Sequence, residues 1–225
     1  MSKETFLFEL DQRISQVAEA SGKARSEIRP FVCDGSPLDS SIFIVGTNPA
    51  STVPWEEYWD WKIGRFDKER WMARYVEERI KLKAAQGKTR IHPVSLTRRR
   101  LELFGKSIPH YKILETNVYA VPTSSESELS NDDLNVNIFK YLVEVIGPSA
   151  MFVHGDSAMQ VITKIWPMKQ RGVFHIVQLD GHEIVLLSVP HLAARNGLVT
   201  NEKVLDWALL LRRAIEQPNT TTAIS

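Results

Sequence analysis

Ser41-Ile42-Phe43-Ile44-Val45-Gly46-Thr47-Asn48-Pro49-Ala50-Ser51 is the stretch on which the fold turns. Ile42 to Val45 is a short, unbroken apolar run, the pattern of a strand covered on both faces rather than half-exposed. Gly46 ends it, and Asn48-Pro49 sets a fixed turn directly beyond. A strand of this kind needs helices on either side and parallel neighbours. Upstream, Phe6, Leu7, Leu10, Ile14, Val17 and Ala18 recur at helical spacing through residues 4–20 and stop at Gly22. A connector, Arg29-Pro30-Phe31-Val32-Cys33-Asp34-Gly35-Ser36-Pro37-Leu38-Asp39-Ser40-Ser41, links that helix to the run.

Downstream, the segment after Trp61 reads as basic helices, and a second strand is expected from Ile113 to Val121. A turn-rich loop through Asn131, a helix over 132–146 and a third strand over Ala150–Val153 follow. A helix over 156–166 precedes two β-rich runs, Val173–Leu179 and Glu183–Val189, joined at Asp180-Gly181, a dipeptide suited to a tight hairpin. The last helix spans about Glu202 to Ile215. This alternation predicts an α/β protein: a three-layer α/β/α sandwich around a central, mostly parallel sheet of four or five strands. One domain over residues 1–217 is expected, with a disordered tail over 218–225.

The chain has 225 residues, 43% hydrophobic and 24% charged, enough apolar material for one core. It holds no run of about 20 apolar residues, and its N-terminus lacks the pattern of a secretory signal, so a cytoplasmic location is expected. Cys33 is the sole cysteine, which excludes a four-cysteine zinc or iron–sulfur centre. No metal or cofactor is implied. The net charge of +1 hides an asymmetry: residues 62–112 carry 15 Lys/Arg against 5 Asp/Glu, the remainder 13 against 22. Two readings apply to the basic segment: a solvated helical face, or a phosphate-binding surface around Arg98, Arg99 and Arg100.

Three polar segments stand just after expected strands, where open α/β sheets bind ligands. They are Gly46-Thr47-Asn48-Pro49-Ala50-Ser51, Thr116-Asn117-Val118-Tyr119 with Pro122, and Pro190-His191-Leu192-Ala193-Ala194-Arg195-Asn196. Each also has a plain structural reading: a strand-ending turn, an asparagine satisfying backbone groups, a structural histidine.

In order and placement the three resemble the motifs of the uracil-DNA glycosylase superfamily. Gly46-Thr47-Asn48-Pro49 resembles its first motif, and Thr116-Asn117-Val118 through Pro122 its second. Ile146-Gly147-Pro148 followed by Ala150–Gly155 is similar to the family's further helix and strand, and the loop at His191 to its closing motif. The resemblance covers roughly residues 40–215 and is nearest the single-strand-selective or mismatch-specific branch, which also has asparagine in the first motif. This chain has Leu192-Ala193 where the family usually has Pro-Ser, which removes a phosphate-contacting hydroxyl.

The resemblance implies a monofunctional DNA glycosylase acting on single- or double-stranded DNA as a monomer. Asn48 would orient the attacking water and His191 would stabilise the departing base. Gly46, Thr47 and Asn117 would hold the base, with Trp55 or Tyr58 stacked on it. Arg195 and Asn196 would meet the duplex, as would Arg98 to Arg100. Two competing expectations remain. One is a DNA-binding protein with this fold and no catalysis. The other is a sugar-phosphate or nucleotide enzyme, against which stands the lack of a phosphate loop after the first strand.

Overall fold

The computed structural model describes residues 1–51, 53–194 and 197–217. Arg195, Asn196 and the tail from residue 218 lie outside the described residues. Helix α1 (Lys3–Ser21) starts where the Ser2 hydroxyl accepts from the Thr5 amide, and it ends at Gly22, whose φ of 62° lets its N–H turn back onto Ala18 and Glu19. The following elements are β1 (Phe31–Cys33), β2 (Ile42–Gly46), the short pair β3 (Trp59–Asp60) and β4 (Arg65–Phe66), α2 (Lys68–Ala85) and α3 (Leu96–Ser107). Then come β5 (Ile113–Asn117), α4 (Asn137–Ile146), β6 (Ala150–His154), α5 (Asp156–Ile165), β7 (Met168–Arg171), β8 (Phe174–Leu179), β9 (His182–Val189) and α6 (Asn201–Glu216).

The main sheet runs β1-β5-β2-β6-β9-β8-β7. Its centre, β5-β2-β6-β9, is parallel throughout, while β1, β8 and β7 pair antiparallel with their neighbours. All residues of β2 and β6 are buried, as their apolar runs require. Side chains alternate between two layers. Phe43 and Val45 join Met151 and Val153 under α1, α4 and α5, whereas Ile42 and Ile44 join Ala150 and Phe152 under α3 and α6. The chain is therefore a three-layer α/β/α sandwich. Among the described residues no helix is long and apolar enough to cross a membrane.

The sheet has seven strands, not four or five. The two additions are short. β1 lies inside the expected connector and is recruited by pairing with β5, and β7 is a polar Met-Lys-Gln-Arg edge strand. Two expected boundaries also shift. The second strand stops at Asn117, and a 3-10 turn at Asn131–Asp133 precedes α4. The hairpin at Asp180-Gly181 matches its expectation, with φ of 45° and 84° at the two turn residues.

Candidate functional site

The carboxyl ends of the four central parallel strands gather Gly46, Asn117 and His154, with His191 two residues beyond the end of β9. The loops after β2 and β5 run side by side. Val118 N–H donates to Gly46 O, Tyr119 N–H to Thr47 O and Thr123 N–H to Pro49 O, each at 3.0 Å. These bonds extend the β2–β5 pairing past the sheet and fix Asn48 between its neighbours. The Asn48 amide nitrogen donates to the Thr123 hydroxyl at 2.6 Å, and that hydroxyl donates onward to Ser125 O. The nitrogen is thereby engaged, and Oδ1 is the atom of the Asn48 amide left with no hydrogen-bond partner among the described residues.

Gly46 lies level with Asn117 across the β2–β5 pairing. A Cβ there would stand 2.8 Å from Asn117 Oδ1 and 3.1 Å from His154 Nε2, so only glycine lets the two polar side chains converge over the strand end. His154, 8% exposed, is the residue that sequence reading passed over. Burial, then the neighbouring His191, push its pKa down to about 3, so the ring is neutral in the folded protein. Its buried Nδ1 has no hydrogen-bond partner among the described residues. The His191 ring packs edge-on against it with centroids 5.3 Å apart. Burial lowers the His191 pKa as well, against an opposing pull from Glu126. Ala193 N–H donates to His191 Nδ1 at 3.2 Å. Neutral His191 therefore carries its proton on Nε2, a donor with no partner among the described residues.

Behind this edge stands a buried ionic cluster. Glu115, on the same face as Asn117, receives Lys68 on one oxygen and Arg98 on the other. Burial works to raise its pKa, yet the two cations override that and hold it at about 2. Arg100 instead donates to the carbonyls of Leu192, Ala194 and Val199, and so ties α3 to the loop that carries His191.

The chain matches no protein-family model and no curated protein sequence.

Several expected site residues have other places. Trp55 is 1% exposed and packed among Phe31, Trp59, Trp61 and Phe66, so no base can stack on it without dismantling that cluster. Tyr58 is buried too, against Phe66, with the Arg70 guanidinium 5.1 Å from its ring centroid. Both are packing residues. Arg98 and Arg100 are buried and committed to Glu115 and to backbone carbonyls, which removes them from any phosphate-binding surface; only Arg99 of the three is exposed. Arg195 and Asn196, expected at the duplex, lie outside the described residues.

The missed signals were present. Arg98 stands three residues before Leu101 and Arg100 four before Phe104, on the buried stripe of α3. Tyr119, half-buried and bonded through its amide to Thr47, is the aromatic residue of the paired loops. Two surface cavities lie elsewhere: about 420 Å³ between α1 and α4, and about 450 Å³ bordered by Arg99, Leu103, Lys106 and Asn201. Among the described residues no three His, Cys, Asp or Glu side chains gather to hold a metal ion.

Proposed function

We propose that this protein is a monofunctional DNA glycosylase that extrudes a uracil-like or modified base and hydrolyses its N-glycosidic bond. The observation that carries the reading is a fixed acceptor, Asn48 Oδ1, just past β2 and a fixed donor, His191 Nε2–H, just past β9, on the same strand-end edge that carries Asn117 at the end of β5. Glycosidic cleavage builds positive charge on the sugar and negative charge on the leaving base, and that pair answers both needs.

Water is held by Asn48 Oδ1, an oriented but weakly basic group, and its oxygen forms the new bond to the sugar carbon. The glycosidic electron pair leaves with the base. His191 donates a hydrogen bond to the base oxygen where that charge collects, and the water proton passes to solvent. Asn117, with both a donor and an acceptor, reads the base edge. Tyr119 takes the stacking role in place of Trp55 and Tyr58, and Arg99 contacts the strand. A monomer acting on DNA in the cytoplasm fits this reading.

The test is direct. Oligonucleotides carrying a single uracil, hypoxanthine or modified cytosine, single-stranded and in duplex, are incubated with the protein and treated with alkali. Strand breaks at the marked base are expected for at least one substrate. Retention of DNA with no abasic site on any of them would instead make the protein a binder without catalysis, the alternative that a non-titratable Asn48 and the Leu192-Ala193 replacement allow.

A further inference from the structure

Among the described residues three arginines are buried, and two have close partners for their charge: Arg98 bonds Glu115, and the two terminal nitrogens of Arg100 bond three carbonyls, its Nε being left without one. The third is Arg29, just before β1. It is 9% exposed, and among the described residues its guanidinium makes one hydrogen bond, to Ser51 O at the outer limit of 3.5 Å. It also stands 5.7 Å from the Trp71 ring centroid, which it shares with Arg98 at 5.3 Å. Among the described residues no carboxylate pairs with it. Both oxygens of Glu115 are taken, and Glu102 is engaged by Lys68 and Arg98 at 3.5 Å. Three cations thus face two carboxylates, an excess of one positive charge in a buried cluster. A guanidinium has five N–H donors, and a buried cation short of partners is rare enough to require an explanation. Burial, and after it Arg98, lower the Arg29 pKa to about 9, whereas Glu115 lifts that of Arg98.

The location indicates what the charge is for. Arg29 N–H donates to Ala120 O at 2.9 Å, and its side chain reaches Ser51 O. Ala120 is three residues past Asn117, and Ser51 three past Asn48. Arg29 therefore braces both site loops where they come together. We propose that Arg29 is an anion-binding residue of this site, taking one singly charged oxyanion: a phosphodiester of the DNA strand or a carboxylate carried by the extruded base. A forked guanidinium suits two oxygens of such a group, and a single negative charge balances the cluster. The proposal rests on the glycosylase reading only for the identity of the ligand.

The experiment compares wild type with Arg29→Met and Arg29→Lys. In buffer without oxyanions, Arg29→Met is expected to melt no lower than wild type, because an apolar side chain replaces an unpaired buried charge. Dimethyl phosphate or acetate, added at constant ionic strength, should raise the melting temperature of wild type and of Arg29→Lys but not of Arg29→Met. Fluorescence anisotropy should find Arg29→Met about tenfold or more weaker on oligonucleotide. If one neutral methylphosphonate beside the target nucleotide weakens wild type equally and Arg29→Met no further, the ligand is a strand phosphate. If the difference between the two proteins arises only with uracil bearing a 5-carboxylate, the ligand is the base. An Arg29→Met protein that is less stable or unfolded without oxyanion, or that binds every probe as wild type does, overturns the proposal. None of these readouts needs bond cleavage, so absent excision with the anion response intact would contradict the glycosylase reading alone.

Discussion

Asn48 shows how one side chain is given a single orientation. An amide can turn over and exchange oxygen for nitrogen, and here Thr123 removes that freedom by accepting from Nδ2 while its own proton goes to Ser125 O. Thr123→Val keeps the shape and deletes the acceptor. The expected result is excision slowed by about tenfold, the value of one lost positioning bond, with DNA affinity unchanged and with Thr123→Ser restoring the rate; single-turnover kinetics beside anisotropy would check it. The placement of Asn48, Asn117 and His191 at or just past strand ends was legible in the sequence, most plainly for Asn48, which follows the apolar run Ile42–Val45. His154 was not, because its meaning depends on Gly46 and Asn117 across the sheet, contacts that no local pattern announces. Trp55 misled for a related reason: three tryptophans within seven residues state that packing occurs there and leave its direction open.

Helix α3 makes the same point for an element. Its three consecutive arginines point in different directions around the helix, and the burial of two reverses the meaning of the run. Arg98→Ala removes one partner of a buried ion pair and is expected to lower stability by about 3 kcal/mol in a denaturant titration. Arg99→Ala should leave stability within about 0.5 kcal/mol and flatten the slope of log affinity against log salt by about one unit. An unchanged slope would take Arg99 away from the strand. The buried central strands were readable from β2 outward, since continuous apolar runs have few other uses. The edge strands β1 and β7 were not, because three or four residues gain strand structure from the neighbour they pair with rather than from their own composition. Arg98 and Arg100 needed partners 17 and about 92 residues away, at Glu115 and Leu192.

At the scale of the whole molecule, the buried groups give stability a distinct dependence on pH. His154 has a folded pKa of about 3 against an ordinary 6.5. Below 6.5 the unfolded chain takes up a proton that the folded one refuses, so stability is fullest above that pH and falls as the solution is acidified toward about 3. The slope from this one ring reaches about 1.4 kcal/mol per pH unit, and His191, lowered in the same direction, adds to its upper part. Glu115 brings a second loss beginning near 4.5 and ending near 2. Denaturant titrations from pH 7 to 5 should find the decline in wild type and a flatter curve in His154→Gln; equal curves would mean that His154 is not held neutral.

The central claim is that the fixed acceptor and donor at the sheet's carboxyl edge act in the transition state of glycosidic hydrolysis. It is tested most directly by measuring single-turnover excision and DNA affinity together for wild type and Asn48→Ala. The account predicts abasic-site formation by wild type, a loss of about 100-fold in rate for Asn48→Ala, and nearly equal affinity for DNA. Equal losses of rate and affinity, or a variant that excises as fast as wild type, would contradict it.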